Sequence, residues 1–277
     1  MDGWFGGYRY NLDMVFDGRG FAEKITIDLR EKIGRMSRKL KLVTIVDPEN
    51  SASVMYTKLK AEMAQRLGVD FDIKTLNPKH EILNNIKILI SKLNEDQTVD
   101  GIMIQLPFFL GFRNSDLEIV SAIAREKDVD GLREDSPFRP AVVRAVLEIL
   151  NTSPLTPLLN LGEGNERGEV LVIGSKGFVG RRLMRVFDNR YSVFGMDKDD
   201  FEPEKIKKAD VVISCTGREG LITGEMVKNG FVAIDVGYPK AEFTDEALAK
   251  ASFYTPVPGG VGPVTVVMLF KNLVEGI

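Results

Sequence analysis

The sequence predicts an α/β protein of two domains, each built on a mostly parallel sheet covered by helices. Short apolar runs rich in Val and Ile alternate with segments of helical periodicity, and this order is typical of parallel sheets. The run 170–180 predicts a strand, a glycine turn and the start of a helix, an arrangement that aims helix amides at a pyrophosphate. With 277 residues, 44% of them hydrophobic, the chain is long enough to bury two cores.

Composition argues against several classes of protein. A net charge of −3 is unusual for a protein that binds nucleic acid. The single histidine, His80, rules out a multi-histidine metal site, and the single cysteine, Cys215, rules out an internal disulfide framework. Residues 1–11 do not resemble a secretory signal, and no stretch approaches the roughly 20 apolar residues of a membrane span. We therefore expect a cytoplasmic protein with no metal, no nucleic-acid partner and no membrane partner.

The first domain is predicted to span residues 1–139. Apolar residues recur at near-fourfold spacing over 16–40, which predicts an amphipathic helix. Further strands are predicted at 42–46, 69–73 and 101–106, and further helices at 52–67, 82–93 and 115–125. Gly68 follows the second of these helices and is predicted to cap it.

The second domain is predicted to span residues 140–263, and the last helix, from residue 264, is predicted to return to the first domain so that 264–277 completes it. Pro and Gly residues make 151–168 a predicted loop after a bridging helix at 140–150. Further strands are predicted at 170–173, 193–196, 211–214 and 231–236, and helices at 181–187, before 211 and near 223–228.

The glycine turn of the second domain is the first candidate site. Gly174, Gly177 and Gly180 let the backbone approach phosphates without a Cβ in the way. Asp197 ends the next predicted strand, and an acid roughly 20 residues past such glycines is where a ribose-binding carboxylate belongs. The pattern therefore predicts a Rossmann-type dinucleotide-binding domain.

The first domain holds polar residues that are unremarkable one by one. Tyr56 and Lys60 share a helix face because they are four residues apart, which is ordinary for a half-buried tyrosine beside a lysine. Gln105 ends an apolar strand, where ligands bind in parallel sheets, although a buried glutamine that bonds to backbone is nearly as common. Asp130 and Gly131 form an ordinary turn pair.

Together these residues form a recognisable set of motifs. In chain order the motifs are Ser53-x-x-Tyr56-x-x-x-Lys60, Gly101-Ile-Met-Ile-Gln105-Leu-Pro107, Lys127-Asp-Val-Asp130-Gly131, Gly220-Leu-Ile-Thr223, Ile234-Asp-Val-Gly237 and Thr255-Pro-Val-Pro-Gly-Gly-Val-Gly-Pro263. The set resembles the methylenetetrahydrofolate dehydrogenase/cyclohydrolase family of FolD type, over most of the chain from about residue 16 to 274. The final glycine loop and the Gln-Leu-Pro strand are its most specific parts.

The resemblance implies a one-carbon folate enzyme with two activities. The first oxidises 5,10-methylenetetrahydrofolate to the 5,10-methenyl cation by hydride transfer to NAD or NADP, and the second hydrolyses that cation to 10-formyltetrahydrofolate. By the same resemblance Lys60 moves protons in the hydrolysis, and Gln105 holds Lys60 by a hydrogen bond. Tyr56 stacks on the aminobenzoyl ring, and Asp130 binds the pterin amino group and ring N–H. A homodimer is also implied.

The resemblance extends to cofactor and substrate contacts. The implied cofactor-binding residues are Gly174, Ser175, Lys176, Gly177, Val179, Gly180, Asp197, Thr216, Gly217 and Gly237. The implied substrate-binding residues are Ser53, Tyr56, Asp130, Pro258, Gly259 and Gly260.

The chain departs from the family pattern in four places. Ser175 stands where the family usually has an arginine that binds phosphate, and Asp197 stands where it often has a serine. The usual Pro-Cys-Thr-Pro is replaced by the residues 140–143, and the stretch 238–254 is short and lacks the usual Gly-Asp-Val.

The first two departures favour NAD over NADP in a protein still able to use either. A carboxylate at Asp197 accepts hydrogen bonds from a ribose diol and repels a 2′-phosphate. The repulsion costs about 4 kcal/mol for two unit charges about 4 Å apart at an effective dielectric near 20, and solvent reduces that cost. Against this, Lys176, Arg181 and Lys198 are close in sequence, and one of them could bind a phosphate.

Three alternatives stay open from the sequence. The chain could have kept the cyclohydrolase and lost the dehydrogenase, could bind dinucleotides without catalysis, or could be an unrelated oxidoreductase on the same architecture. The joint presence of Tyr56, Lys60, Gln105 and Asp130 argues against the last two.

Overall fold

The structure is a computed structural model that describes residues 3–5, 8–10, 14–76, 83–106, 114–152, 168–187 and 192–276. The chain divides into two compact units. The first unit comprises Ala22–Ala141 and Thr265–Ile277, and the second comprises Met1–Phe21 and Val142–Val264. Each unit contains a parallel sheet with helices, which confirms the predicted fold class.

The first unit is built on a three-stranded parallel sheet. Its strands are β4 (Lys41–Val46), β5 (Asp70–Thr75) and β6 (Gly101–Ile104), in the order β5-β4-β6. Its helices are α2 (Ser51–Leu67), α3 (Leu83–Glu95) and α4 (Asn114–Ser121). The unit also contains α1 (Gly18–Gly34) from residue 22 onward and α9 (Val261–Glu275) from residue 265 onward. The central strand and β6 are almost fully buried, so their carboxyl ends present polar residues at one edge of a dry core.

Local sequence explains the boundaries of α2. The Asn50 side chain accepts a hydrogen bond from the Ser53 N–H and caps the N-terminus of the helix. Gly68 ends the helix with φ of 74°, a left-handed conformation that glycine adopts without strain, which confirms the predicted cap.

The second unit is built on a six-stranded parallel sheet in the order β3-β11-β10-β9-β7-β8. The strands are β3 (Met14–Val15), β7 (Glu169–Ile173), β8 (Ser192–Met196), β9 (Val211–Ser214), β10 (Val232–Asp235) and β11 (Phe253–Tyr254). The helices are α5 (Ala141–Leu150), α6 (Phe178–Phe187), α7 (Pro203–Lys208) and α8 (Asp245–Leu248). A separate antiparallel pair joins β1 (Gly3–Phe5) to β2 (Tyr8–Tyr10).

The strand order of the second unit reverses beside β7. The chain passes from β7 outward to β8 and then crosses back to β9 on the other side of β7. The crevice outside the carboxyl ends of β7 and β9 is therefore the topological switch point of this sheet. Gly174 and Cys215 are the first residues after these two strands.

Several elements differ from the sequence expectation. α1 ends at Gly34 rather than near residue 40, and α4 ends at Ser121 before a 3₁₀ turn at Arg125–Lys127. The helix expected near 223–228 is a 3₁₀ turn over Gly224–Met226, and α6 begins at Phe178, three residues before the predicted start. Most of the predicted loop 151–168, and His80, lie outside the described residues.

The unit division also differs from the predicted domains at the N-terminal end. Val15 and its neighbour in β3 pair with β11, so this part of the chain adds an edge strand to the sheet of the second unit. The first domain predicted from the sequence spans residues 1–139 and so includes this strand. A strand of two residues carries too little pattern to assign to a sheet from sequence.

Candidate active site

Lys60 is the central group of the first unit's candidate site. It lies on α2 with 3% of its surface exposed, facing the carboxyl end of β6. Its Nζ donates to Gln105 Oε1 at 3.0 Å and contacts Met103 Sδ at 2.9 Å. A thioether is a weak acceptor, so the amide oxygen of Gln105 is the strong polar partner among these contacts. Nζ also lies 5.2 Å from the centre of the Tyr56 ring, within the range of a cation–π contact.

This environment changes the proton affinity of Lys60. Burial removes water from the ammonium and lowers the pKa of Lys60 below its ordinary value, while the negative charge of Asp130 acts in the opposite direction. Desolvation also raises the pKa of the Asp130 carboxyl, and the charge of Lys60 opposes that shift. A lysine whose pKa is lowered toward neutrality can both accept and return a proton.

Gln105 is fixed at both ends of its side-chain amide. Its Nε2 donates to the Leu106 carbonyl at 3.1 Å, so its Oε1 is directed at Lys60. Its backbone N–H donates to Ile45 O at 2.9 Å, which continues the pairing of β6 with β4 beyond the last strand residue. The pairing of β6 with β4 therefore positions Gln105, the hydrogen-bond partner of Lys60.

Asp130 lies on a loop that is held from two sides. The buried Asp128 carboxylate accepts hydrogen bonds from the backbone N–H groups of Leu132 and Arg133, at 3.1 and 2.9 Å. From α9, Asn272 Nδ2 donates to Val129 O at 2.8 Å and to Arg139 O at 3.0 Å. Burial raises the pKa of Asp128 to about 6, against the lowering effect of its backbone donors.

The glycine loop of the second unit has no room for side chains at two of its positions. Gly174 has φ of 86°, and a Cβ there would lie 2.8 Å from Cys215 O. A Cβ at Gly180 would lie 2.1 Å from Gly174 O, which no real contact permits. Gly177 is less constrained, because its Cβ would lie 3.1 Å from the same oxygen. The loop therefore turns tightly from β7 into the N-terminus of α6, which fits a pyrophosphate.

Asp197 follows β8 and lies against this loop. Its Oδ2 accepts a hydrogen bond from the Lys176 N–H at 3.1 Å, and its Oδ1 accepts one from the Lys198 N–H at 2.9 Å. These bonds favour the carboxylate, the Lys198 bond most, and lower the pKa of Asp197. The Lys176 ammonium lies 3.6 Å from Asp199, which competes with any phosphate for that charge. Ser175 and Val179 lie on the same turn and are half-buried.

The strand ends next to the glycine loop hold the other predicted cofactor contacts. Thr216 and Gly217 follow β9, and Gly237 follows β10. The N–H groups of Thr216 and Gly217 donate to Glu242, at 2.9 and 2.7 Å, and the Gly237 N–H donates to Asp235 at 2.8 Å.

The Thr255–Pro263 loop follows β11 in the same unit. Thr255 is buried, and its Oγ1 accepts the Asp235 N–H at 2.7 Å. Gly260 N–H donates to Pro256 O at 2.7 Å, while Pro258 is exposed and Gly259 has φ of 112°. A Cβ at Gly18 would lie 2.1 Å from Gly260 O, so the start of α1 packs tightly on this loop.

The predicted residues thus fall into two groups, one in each unit. The first unit brings together Tyr56, Lys60, Gln105 and Asp130, with Ser53 buried in the first turn of α2. The second unit gathers the glycine loop, Asp197 and the loops after β9, β10 and β11.

Several residues that shape these groups had no role predicted from the sequence, although Met103, Asp128 and Asp235 stand within the motifs given above. They are Met103, Asp128, Asp235, Glu242 and Asn272. Each stands inside an apolar run or a common turn pair, where a polar or sulfur-containing side chain gives little signal. An acid in an apolar alternation, such as Glu242 between Ala241 and Phe243, was the clearest available hint.

The surroundings of Cys215 disfavour its thiolate form. Desolvation, with a smaller contribution from the charge of Glu242, raises the pKa of Cys215 to about 12, and its Sγ donates to Ile173 O at 3.2 Å. Among the described residues, no group of three or more His, Cys, Asp and Glu side chains could hold a metal ion. Within the same ranges, no helix has both the length and the apolar character needed to cross a membrane.

Known proteins resemble this chain over nearly its whole length. A bifunctional protein FolD of Hydrogenobaculum sp. is 34% identical over 277 residues, which cover 94% of this chain and 97% of the relative. A bifunctional protein FolD 2 of Geobacter sulfurreducens is 33% identical and covers 94% and 95%. The crystal structure of FolD methylenetetrahydrofolate dehydrogenase/cyclohydrolase from Campylobacter jejuni superposes with a TM-score of 0.84 at 28% identity, covering 95% and 98%.

Two family models match consecutive parts of the chain. The catalytic domain of tetrahydrofolate dehydrogenase/cyclohydrolase matches residues 16–130, and the NAD(P)-binding domain of the same family matches residues 155–277. A structure from Trypanosoma brucei, complexed with NADP cofactor and an inhibitor, superposes with a TM-score of 0.84 at 26% identity and covers 96% of this chain and 97% of its own. The chain therefore belongs to the tetrahydrofolate dehydrogenase/cyclohydrolase family.

Proposed function

We propose that this protein is a bifunctional one-carbon folate enzyme. It oxidises 5,10-methylenetetrahydrofolate to 5,10-methenyltetrahydrofolate with NAD(P), and then hydrolyses the methenyl compound to 10-formyltetrahydrofolate. The observation that carries this proposal is the buried Lys60 ammonium, bonded to Gln105 and influenced by Asp130. A lysine with a lowered pKa suits hydrolysis, and family membership supplies the substrate class.

In the hydrolysis, water adds to the carbon that bridges N5 and N10 of the folate. A C–O bond forms, and the water loses a proton. Neutral Lys60 accepts that proton and returns one to N5 as the C–N5 bond breaks. The proton that remains on the added oxygen is released to solvent as the C=O bond forms, which leaves the formyl group on N10. Gln105 holds Nζ in position through the 3.0 Å hydrogen bond, and the positive charge of the methenyl substrate lowers the pKa of Lys60 further.

In the oxidation, the residues of the protein bind and orient rather than transfer protons. The nicotinamide ring, when bound, accepts the hydride from the methylene carbon. The proposed pyrophosphate site is the turn Gly174–Gly180, whose close backbone packing leaves no space for a Cβ at Gly180. Ser175, Lys176, Gly177 and Val179 complete that turn, and Thr216, Gly217 and Gly237 line the neighbouring strand ends.

The proposed folate contacts follow from family membership. Tyr56 stacks on the aminobenzoyl ring and Asp130 accepts hydrogen bonds from the pterin. Ser53, Pro258, Gly259 and Gly260 are proposed as further substrate contacts. Support for Asp130 comes from the hydrogen bonds that Asp128 and Asn272 make to the backbone of its loop.

Within NAD(P), we propose a preference for NAD. Asp197 is ionised beside the glycine turn, where a ribose 2′ position is expected, and Ser175 carries no charge to offset a phosphate. The pairing of Lys176 with Asp199 further reduces the positive charge that is available to bind a 2′-phosphate. The protein is also proposed to be a cytoplasmic homodimer, in keeping with its family and its single cysteine.

Two absorbance assays test the proposal. The first follows methylenetetrahydrofolate with NAD and separately with NADP, and the second follows loss of the methenyl compound without dinucleotide. Lys60→Met should lower the cyclohydrolase rate by at least about 100-fold while some hydride transfer remains. Full cyclohydrolase activity in that variant would reject the role of Lys60. Cyclohydrolase without any dehydrogenase activity in the wild type would favour the single-activity alternative.

A further inference from the structure

Glu242 of the second unit has a buried carboxylate that accepts hydrogen bonds from the loop after β9. It is not among the proposed folate and dinucleotide contacts. Glu242 lies between β10 and α8 with 1% of its surface exposed. Its Oε2 accepts from Ser214 Oγ at 2.5 Å, Thr216 N at 2.9 Å and Thr216 Oγ1 at 2.6 Å, and its Oε1 accepts from Gly217 N at 2.7 Å. Every one of these bonds is made to the four-residue segment that ends β9 and turns away from it.

The groups around Glu242 determine which atom donates and which accepts in each of these hydrogen bonds. Backbone N–H groups can only donate, and the Thr216 hydroxyl accepts the Arg218 N–H at 3.1 Å, so its own hydrogen points at Glu242. Glu242 must therefore present acceptors on both carboxylate oxygens. An amide in its place would bring an NH₂ group against at least one donor in either orientation.

Asp235 extends the same arrangement to the next two strand ends. Its Oδ2 accepts the Glu242 N–H at 2.7 Å, and its Oδ1 accepts the Gly237 N–H at 2.8 Å. Its own N–H donates to Thr255 Oγ1 at 2.7 Å. The two acids therefore link the loops after β9, β10 and β11, which hold predicted ligand contacts on three adjacent strands.

The outer face of the β9 loop remains open. Gly217 is exposed with φ of 72°, and a Cβ there would meet no atom within 4 Å. The N–H groups of Thr216 and Gly217 are occupied by Glu242, so this loop offers a bound dinucleotide its outer backbone surface and carbonyls rather than these amides. The conformation of this loop must therefore be set on its buried side, where Glu242 binds its amides.

We infer that Glu242 is a positioning residue for dinucleotide binding, acting through the loop Ser214–Gly217 and, with Asp235, aligning three strand-end loops. The ligand part of this inference rests on the proposed NAD(P) binding. The inference that Glu242 fixes the loop does not rest on it, because amide exchange of the loop can be measured without any ligand.

The principal test is Glu242→Gln, with Glu225→Gln as the matched control. Glu225 is an exposed carboxylate of the same unit. In Glu242→Gln we expect the KM for the dinucleotide to rise about 10-fold or more, since hydrogen bonds to a charged group are lost, with a smaller change in kcat. The cyclohydrolase rate without dinucleotide should stay at the wild-type level, because Lys60 and Gln105 belong to the other unit. Glu225→Gln should match the wild type in both assays.

Hydrogen exchange of the ligand-free protein gives the second readout. Glu242→Gln should speed amide exchange at Thr216 and Gly217, while amides of β7 and α6 keep their wild-type rates. Unchanged exchange at these two amides, or an unchanged KM in a wild type that binds NAD(P), would overturn the inference. A wild type that binds no dinucleotide would instead reject the proposed dehydrogenase, and the exchange result would still decide the role of Glu242.

A milder variant covers the case in which Glu242→Gln does not fold. Ser214→Ala removes one donor to Oε2 from a fully buried position. We expect a KM increase of about two- to fivefold, smaller than in Glu242→Gln, because the three hydrogen bonds from Thr216 and Gly217 to Glu242 remain. Where Glu242→Gln folds, the double variant should raise KM by less than the two single changes combined, because both changes act on the same loop. Additive effects would contradict an action of Glu242 through this loop.

Discussion

The packing of Gly180 against Gly174 gives a quantitative prediction about the dinucleotide unit. A Cβ at Gly180 would lie 2.1 Å from Gly174 O and 2.8 Å from both Gly174 C and Ser175 Cα, all of them backbone atoms. In Gly180→Ala the turn or the helix must therefore move by about 1 Å, and such overpacking costs about 1–3 kcal/mol. The higher helix propensity of alanine offsets about 0.5–1 kcal/mol of that cost.

A 2.1 Å approach to a backbone atom places the cost at the upper end of the overpacking range, so the expected net loss in Gly180→Ala is about 2 kcal/mol. This loss corresponds to a fall in Tm of about 4–8 °C for a unit of this size. The matched variant is Gly177→Ala, whose Cβ would lie 3.1 Å from the same oxygen. A shift of a few tenths of an ångström relieves that contact, so we expect a loss below about 1 kcal/mol. Both variants have an alanine on the same turn, which isolates the effect of the close approach.

Thermal unfolding followed by circular dichroism measures the two variants, and NAD titration measures their affinity. Gly180→Ala should also weaken NAD binding, because the turn that faces the pyrophosphate is displaced. Cyclohydrolase activity without dinucleotide serves as an internal control and should persist below the unfolding transition. Equal Tm values for Gly177→Ala and Gly180→Ala would refute the claim that the turn is closed by backbone contact at residue 180.

Three further predictions concern the charges of the two proposed sites. Asp197→Ser should shift the ratio of specificity constants toward NADP by about 10-fold or more, since repulsion of a 2′-phosphate is removed; a wild type that already prefers NADP in steady-state kinetics would contradict the Asp197 argument. Asp130→Asn should lower the pKa of Lys60, because the neighbouring carboxylate that favours the ammonium is lost. The corresponding ionisation in the cyclohydrolase pH profile, measured at saturating substrate, should therefore move to lower pH. A move to higher pH would contradict the stated effect of Asp130 on Lys60. Asp130→Ala should weaken folate binding in calorimetry with little change in NAD affinity, and the opposite pattern would place Asp130 at the wrong ligand.

Much of the second unit could be predicted because its pattern is local. The run 170–173 is apolar and β-branched, and glycines at a spacing of three residues leave few alternatives to a strand, a turn and a helix. The start of α6 was predicted three residues late, since Phe178 and Val179 carry no capping signal that sequence could show. The 3₁₀ turn at 224–226 was predicted as a helix because a single turn and a short helix have the same periodicity.

The lysine site was predictable in its members but not in its environment. Spacing on α2 places Tyr56 and Lys60 on one face, and the 5.2 Å contact between them follows from that. The approach of Lys60 to Met103 and Gln105 depends on how α2 packs over β6, across more than 40 residues of chain. The lowered pKa of Lys60 is a consequence of that packing, so it could be expected only by resemblance.

The sequence by itself determined the α/β class, the order of the main elements, the glycine turn and the set of polar residues that marks the family. These features are encoded by periodicity and by residues with special backbone or chemical properties, and both are readable within short windows. Only the tertiary structure decided that Glu242 and Asp235 tie three strand-end loops together, that Asn272 of the last helix holds the Asp130 loop, and that Val15 belongs to the sheet of the second unit. The physical reason is that each of these is a hydrogen bond between distant segments, whose partners are chosen by which strands lie side by side and not by any local preference of the chain.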